Sequence, residues 1–172
     1  MAKLNWMRLA VMAAAWGSLS NAAPTSPDSH DFAAFPAPVY HGPSIQPAFR
    51  GSQHVYAAYR TRIRASVAAG PAFAGHLAVA VIGCGTSCRF GYVTDLKTGV
   101  IYELPRGGEE YYQVLYRVRP DSRLLQTQWT PYDDKSGPQG CALEDFVWTG
   151  RSFKSLGRRS APECPDWGDF AD

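Results

Sequence analysis

The sequence predicts an α+β domain in which one N-terminal amphipathic helix packs on a strongly bent, disulfide-stapled antiparallel meander of about seven short strands. Three observations predict this class. Apolar residues recur at helical spacing between residues 52 and 69. From residue 77 onwards, short β-branched and aromatic runs alternate with Gly, Pro and Asp turns. The chain of 172 residues also contains four cysteines.

Residues 1–22 have the pattern of a secretory signal peptide. Lys3 and Arg8 give a short positive region, residues 9–19 are apolar, and small residues favour cleavage after Ala22. No later segment reaches the roughly 20 apolar residues that a spanning helix needs. We therefore expect a periplasmic or secreted protein without a membrane anchor.

The next segment, residues 23–48, is rich in proline. Its six prolines oppose both a helix and a central strand. His30 and His41 within it are interpreted as solvated linker residues. The sequence thus predicts a flexible leader, followed by a single domain over residues 49–172.

The predicted helix runs from Ser52 to Ala69. Its apolar face consists of Val55, Tyr56, Tyr59, Ile63 and Val67. Ser52 is the predicted N-cap, and Gly70 followed by Pro71 ends the helix. Three arginines on its other faces, at positions 60, 62 and 64, indicate a solvated surface more than an anion-binding patch.

The first three strands surround the most informative part of the chain. Residues 77–82 are nearly all apolar, which predicts a strand buried on both faces. The glycines and cysteines of residues 83–88 predict a sharp turn. Residues 89–94 and 100–104 then form a hairpin around the loop at 95–99.

Later strands are predicted where the same alternation returns. They cover residues 111–118, 124–129, 144–148 and 152–156. Residues 131–140 are polar and lack a strand period, so we expect an exposed loop there.

The charge balance argues against nucleic-acid binding. The whole chain has 17 Lys+Arg and 15 Asp+Glu, and removal of Lys3 and Arg8 with the signal peptide makes the two counts equal. Nucleic-acid binding depends largely on phosphate contacts by many Lys and Arg side chains.

Four cysteines in an exported chain predict two disulfides. Of the three possible connectivities, spacing favours Cys84 with Cys88 and Cys141 with Cys164. The longer loop should contribute on the order of 3 kcal/mol and the shorter loop less.

Three motifs resemble a group of uncharacterised bacterial exported proteins. They are the P-x-F-A-G-H strand entry at residues 71–76, the G-C-G-T-x-C turn at 83–88 and the D-x-K-T-G hairpin at 95–99. Ile82 stands where members often carry Trp, and the members' further cysteine pair after the hairpin is absent. The resemblance implies a shared fold unit and no activity.

His76 is the strongest single candidate for chemistry. Its reference pKa of about 6.5 suits a general base or a switch, whereas the structural interpretation is an imidazole bonded to a backbone carbonyl. One alternative is therefore a small enzyme that uses His76 with the Cys84 to Cys88 turn, with Asp95 as a further member. The spacing of His and Cys indicates no metal site, and no cofactor is expected.

Aromatic richness and the lack of a catalytic motif favour a different function. We expect a non-enzymatic module of the inhibitor or immunity type that binds another exported protein. A cell-wall or glycan-binding domain is a further alternative. The candidate binding residues on or near strands are His76, Thr86, Ser87, Arg89, Tyr92 and Tyr132.

Overall fold

The structure is a computed structural model, and it describes residues 30–167. The predicted signal peptide, residues 23–29 of the leader and residues 168–172 of the C-terminal tail lie outside the described residues. No helix within residues 30–167 is long and apolar enough to cross a membrane.

The described chain is α+β, with one long helical segment and nine strands, all paired antiparallel. A short 3-10 turn at Phe32–Ala34 precedes a 3-10 segment, Gly51–Tyr59, which continues directly into the α-helix α1, Arg60–Ala69. The strands are β1 Leu77–Gly85, β2 Cys88–Asp95, β3 Ile101–Glu103, β4 Leu115–Arg117, β5 Leu124–Trp129, β6 Tyr132–Asp133, β7 Gly137–Pro138, β8 Cys141–Trp148 and β9 Phe153–Ala161.

The predicted helix is confirmed, with two differences at its start. Ser52 lies inside the first turn and is not the N-cap, and the residue before the segment makes no side-chain capping bond. Val55 is 69% exposed, because the apolar face that reaches the sheet is formed chiefly by Ile63 and Val67. Gly70 ends the helix with a φ of 95°, a value that glycine tolerates.

The strands form two main sheets and a small hairpin. Sheet one has the order β1-β2-β3, sheet two has the order β4-β5-β8-β9, and β6 pairs with β7. The extra pair, β6 and β7, lies in the segment 131–140 predicted as a loop. Asp133 folds that segment back, since its Oδ1 accepts hydrogen bonds from the backbone N–H groups of Lys135 and Ser136.

Sheet one is the middle layer of three. On one of its faces Leu77 and Val93 join the core that sheet two completes with Leu125 and Phe146. On its other face the side chains packing toward the helix are Ala78, Ala80, Ile82 and Tyr92. The prediction that β1 is buried on both faces is thus confirmed for most of its length.

Residues 30–48, here called the N-terminal strap, lie against the domain. The sequence predicted a flexible leader, but Phe32 is buried and Ser122 Oγ donates to the carbonyl oxygens of Phe32 and Phe35. Further along, Ala37 N–H donates to Asp121 O. Prolines oppose a regular α-helix here, but they do not prevent an extended segment from docking through its carbonyls and its other side chains.

The first residue of the strap, His30, contacts a buried carboxylate on the outer face of sheet two. Asp145 is fully buried and accepts hydrogen bonds from the backbone N–H and Nδ1 of His30 at 3.1 and 2.9 Å. Arg159 on β9 donates to the same carboxylate through Nη1 at 3.0 Å and Nη2 at 3.3 Å. His30, interpreted from sequence as a solvated linker residue, therefore ties the strap to β8.

Both predicted disulfides are present. Cys84 bonds to Cys88, and Cys141 bonds to Cys164. The second bond brings the C-terminal segment onto sheet two, where Gln128 Nε2 donates to Pro165 O at 2.9 Å.

Candidate functional site

His76 and Asp95, two of the residues assigned to the enzyme alternative, face each other. His76 precedes β1 and Asp95 ends β2, and their Nε2 and Oδ2 atoms lie 3.8 Å apart. The backbone carbonyl of His76 accepts a hydrogen bond from Leu96 N–H. The antiparallel register that pairs Leu77 with Asp95 produces this contact.

Cys84 and Cys88 lie at the opposite end of the same hairpin. At about 3.3 Å per residue, β1 separates His76 from Cys84 by more than roughly 20 Å. The two cysteines are also bonded to each other, so neither carries a free thiol. The structure therefore does not bring the predicted histidine and cysteines together.

The predicted binding residues lie in four separate places. His76 is at one end of the β1-β2 hairpin, and Thr86, Ser87 and Arg89 are at the other end. Tyr92 is only 8% exposed because the helical segment covers it. Tyr132 is 55% exposed on β6, with its ring 5.3 Å from that of Tyr112. These residues do not form one surface.

Neither main sheet presents a bare aromatic face. Sheet one lies between the helical segment and sheet two, and the strap and C-terminal segment cover part of the outer face of sheet two. Trp129 and Trp148, which the sequence placed on strands, are interior side chains. Among residues 30–167 the exposed large hydrophobic side chains are Ile45, Val55 and Tyr132. Because the sheet faces are covered in this way, a binding site is expected at the edge of a sheet.

Such a site exists as a cleft of about 400 Å³ at the end of β3. We call it the β3 cleft, and its lining residues are Phe90, Gly91, Tyr92, Glu103, Leu104, Arg106, Gly107, Gly108 and Tyr111. The loop after β3 lies close against β2, since Gly108 N–H donates to Arg89 O at 2.8 Å. A Cβ at Gly107 would come within 2.8 Å of the Phe90 Cβ, so glycine there allows the close approach that shapes the cleft.

Phe90 and Tyr92 of β2 form one wall of the cleft, and rings of the helical segment pack against them. Tyr56 and Tyr59 of the helical segment contact Tyr92 and Phe90 of β2 edge to face, with centroid separations of 5.1 and 5.2 Å. Phe90 and Tyr92 are 5.6 Å apart and also edge-on. Edge-to-face contacts fix ring orientations, so the wall is a pre-formed surface.

Arg106 also lines the cleft, and its charge is already matched. Its Nε and Nη2 each lie 2.7 Å from Glu144 Oε2, and Nη1 donates to the Tyr111 hydroxyl at 3.0 Å. Ser155 Oγ donates to the other Glu144 oxygen at 2.7 Å. The Tyr116 hydroxyl donates to Arg106 O and fixes the backbone of the loop. Arg106 is therefore fixed in place by its hydrogen bonds, and Glu144 balances its positive charge.

Glu103 is the other charged residue that lines the cleft, and its surroundings differ from those of Arg106. It is exposed on β3 directly opposite Tyr92, and no hydrogen bond or ion pair to it occurs among the residues that the structure describes. Burial, followed by Tyr59, Glu103 and Tyr56, raises the pKa of Tyr92 to about 12. Burial and then Glu103 raise the pKa of Tyr56. The Glu103 charge thus acts on the aromatic wall.

The backbone of Glu103 also faces an open edge. Leu104 N–H donates to Gly91 O, and Asp95 N–H donates to Val100 O. Leu104 and Val100 therefore form the hydrogen-bonded pairs with β2. Because bonded and non-bonded pairs alternate, the N–H and C=O of Ile101 and Glu103 point away from β2. At Ile101 the side chain of Gln53 occupies this edge, accepting from its N–H at 2.6 Å.

Sequence reasoning did not select this cleft. Neither Glu103 nor Arg106 belongs to a motif that points to a site. The one local signal is the Arg-Gly-Gly sequence at residues 106–108, which by itself indicates only a turn after β3. Arg106 is bonded to Glu144, and Glu103 acts on Tyr56. Both partners are about forty or more positions away in the sequence, so no local pattern reveals them.

Within residues 30–167 no group of three or more His, Cys, Asp or Glu side chains is placed to hold a metal ion. Comparisons of the chain with protein-family models, with curated proteins and with solved structures found no match. The resemblance to bacterial exported proteins remains a prediction.

Proposed function

We propose that the protein is an exported, non-enzymatic module of the inhibitor or immunity type that binds another exported protein through the β3 cleft. Two disulfides indicate an oxidising, extracellular environment. The predicted signal peptide would deliver the chain to the periplasm or the medium. The observation that carries the proposal is the β3 cleft itself, with one pre-formed aromatic wall and a carboxylate, Glu103, that has no partner among residues 30–167.

The walls have the composition of an interface centre. Tyrosine and arginine are enriched among residues that dominate binding energy, and rigid side chains lose little entropy on binding. Tyr92, Tyr111 and Arg106 are all held by contacts within the domain. A cleft of about 400 Å³ accepts one or two side chains, so it would receive an anchor from a larger partner surface.

A second aromatic pair begins at the residue after the cleft residue Tyr111. Tyr112 follows Tyr111 in the chain, and its ring packs against the exposed ring of Tyr132 on β6. Thr130 N–H donates to Tyr112 O at 2.9 Å and joins this loop to the end of β5. A stable protein interface buries about 800 Å² on each partner, which requires such surroundings beside the cleft.

The test is a pull-down from periplasmic and culture fractions with three forms of the mature protein. Glu103→Arg reverses the exposed charge in the cleft, and Lys154→Glu makes a matched reversal at an exposed position on β9. We expect wild type and Lys154→Glu to recover the same protein as a defined complex on size exclusion, and Glu103→Arg to lose it. Recovery of no partner, or equal recovery by Glu103→Arg, would contradict the proposal.

A glycan-binding domain is the second candidate, because three aromatic residues and a carboxylate also suit a sugar ring. Sedimentation with purified peptidoglycan that depends on Glu103 would favour it. The small-enzyme alternative has less support, since Cys84 and Cys88 bond to each other at the far end of β1 from His76.

A further inference from the structure

We infer that the β3 cleft takes an arginine or lysine side chain, presented by an extended segment of the partner that pairs with the free edge of β3. This inference rests on the proposed function and names the chemistry of the anchor. It is carried by the charge of the cleft, the aromatic wall and the exposed backbone of Glu103.

The charge of the cleft is complementary to a cation. Two charged residues line it, and of these Arg106 is matched by the buried carboxylate of Glu144. Glu103 thus supplies the unmatched charge. Glu109 and Glu110 follow the lining glycines in the chain and are exposed, so this loop carries two further negative charges.

The aromatic wall favours the same occupant. A guanidinium or ammonium group is attracted to the faces of tyrosine and phenylalanine rings, with larger gains where water is partly excluded. Phe90 and Tyr92 line the cleft beside Glu103, and because Tyr92 is only 8% exposed, the half-buried Phe90 supplies most of the accessible ring surface. Arginine suits this site better than lysine because its planar group stacks on rings while binding a carboxylate.

The free edge of β3 determines how the partner's basic side chain is positioned in the cleft. The N–H and C=O of Glu103 point outward, and no backbone partner for them occurs in the described part of the chain. A peptide that adds to this edge places the residue opposite Glu103 on the same face as Glu103 and Tyr92, with Cβ atoms about 5 Å apart. A basic residue at that position forms a cross-strand ion pair over the aromatic wall.

The added strand must be short. β3 has three residues, and the Gln53 side chain already occupies the edge at Ile101. The segment therefore pairs around Glu103 alone, and its specificity comes mainly from the one basic side chain. A short peptide is a sufficient probe for this reason.

The experiment titrates isotope-labelled mature protein with two blocked tripeptides and follows backbone amide shifts by NMR. One probe has arginine between two alanines, and the other has citrulline, a neutral group of the same shape, in its place. We expect the arginine probe to shift amides of residues 90–92 and 103–111, and the citrulline probe to bind at least about fivefold more weakly. Glu103→Gln should abolish this difference, whereas Lys154→Gln should keep it.

Equal binding of the two probes, shifts elsewhere, or no shift at all would overturn the inference. Both variants change exposed side chains, and their amide spectra show directly whether they are folded. If the pull-down yields a Glu103-dependent partner but the arginine probe does not bind, the cationic anchor is wrong and the binding function stands. If N-acetylglucosamine shifts the same amides and the arginine probe does not, the occupant is a glycan.

Discussion

Two neighbouring carboxylates on β8 show how the domain uses buried charge. Glu144 and Asp145 point to opposite faces of sheet two, and both are buried. Glu144 binds Arg106 beside the β3 cleft, and Asp145 binds His30 and Arg159 beneath the strap. Loss of one partner of a buried ion pair typically costs about 3–5 kcal/mol, because the other charge stays buried. These two residues therefore fix the cleft loop and the strap in place.

Tyr92 should make the stability of the protein depend on alkaline pH. Burial is the main cause that raises its pKa from 10.0 to about 12, so the folded state keeps the phenol proton where the unfolded state releases it. The free energy of unfolding must then fall as the pH rises from about 10 towards 12. We expect Tyr92→Phe to match wild type near pH 8 and to lose less stability between pH 10 and 11.5.

Urea unfolding followed by circular dichroism at pH 8, 10 and 11.5 measures this difference. Tyr116, whose pKa burial also raises, is present in both proteins, so its contribution cancels in the comparison. Parallel pH curves for the two proteins would show that Tyr92 ionises alike in the folded and unfolded states.

Sequence reasoning succeeded at the residue scale where the partner is determined by a local constraint. Cys84 and Cys88 are four positions apart, and their pairing leaves Cys141 and Cys164 for each other. It failed for His30, whose surrounding prolines indicate a linker while its partner Asp145 lies 115 positions away. Glu103 was missed for a similar reason, since its aromatic neighbour Tyr56 belongs to the helical segment.

At the scale of elements, the helical segment has two distinct parts. The α-helical half packs Ile63 and Val67 on sheet one, while the 3-10 half sends Gln53 to the edge of β3. Hydrophobic periodicity predicted the whole segment, because apolar residues recur at helical spacing through both halves, although Val55 of the 3-10 half is exposed. It did not distinguish 3-10 from α geometry, since that choice depends on contacts of the first turns with β2 and β3.

The two disulfides should differ in what they contribute. Cys141 and Cys164 close a loop of sequence separation 23 and attach the C-terminal segment to sheet two, whereas Cys84 and Cys88 close a separation of 4. The chain-entropy relation gives about 3 kcal/mol for the first bond and about 2 kcal/mol for the second. We expect the double alanine variant of Cys141 and Cys164 to lose more unfolding free energy.

Chemical unfolding of wild type and the two double variants, each with its other disulfide intact, measures both losses. Replacement of each pair by alanine removes the bond without placing a new polar group in the core. A larger loss from the Cys84 and Cys88 variant would show that the turn, and not the C-terminal attachment, limits stability.

On the scale of the whole molecule, the domain has three layers and an N-terminal strap across one side. The layers follow from alternation and from the apolar run of β1, which is why the α+β class was predictable. The division into two sheets was not predicted, because a single bent meander satisfies the same alternation. The docked strap was not predicted, because its proline-rich composition indicates only that regular helices and strands are disfavoured. Composition does not show whether an extended segment packs on the domain.

The strap should be part of the folding unit. A chain that begins at Phe49 lacks His30, which donates twice to buried Asp145, and Phe32, which is buried beside Ser122. Loss of two hydrogen bonds to a charged group and of the buried Phe32 side chain should lower the free energy of unfolding by roughly 3–5 kcal/mol, a large share of the 5–15 kcal/mol typical of a domain. A chain that begins at Ala23 is the matched control.

Equilibrium unfolding of both chains tests this expectation, and hydrogen exchange of the β8 amides reports where protection is lost. Equal stability and equal exchange would mean that residues 23–48 are dispensable and that the flexible-leader interpretation is correct.

The contact between His30 and Asp145 also determines when the strap can dock during folding. During synthesis at about 5–20 residues per second, His30 leaves the ribosome on the order of ten seconds before Asp145. Throughout that interval the surface that receives the strap does not exist, since β8 and β9 have not been made. The strap can dock only when nearly the whole chain is available, so until then its apolar residues stay accessible to other proteins, including chaperones.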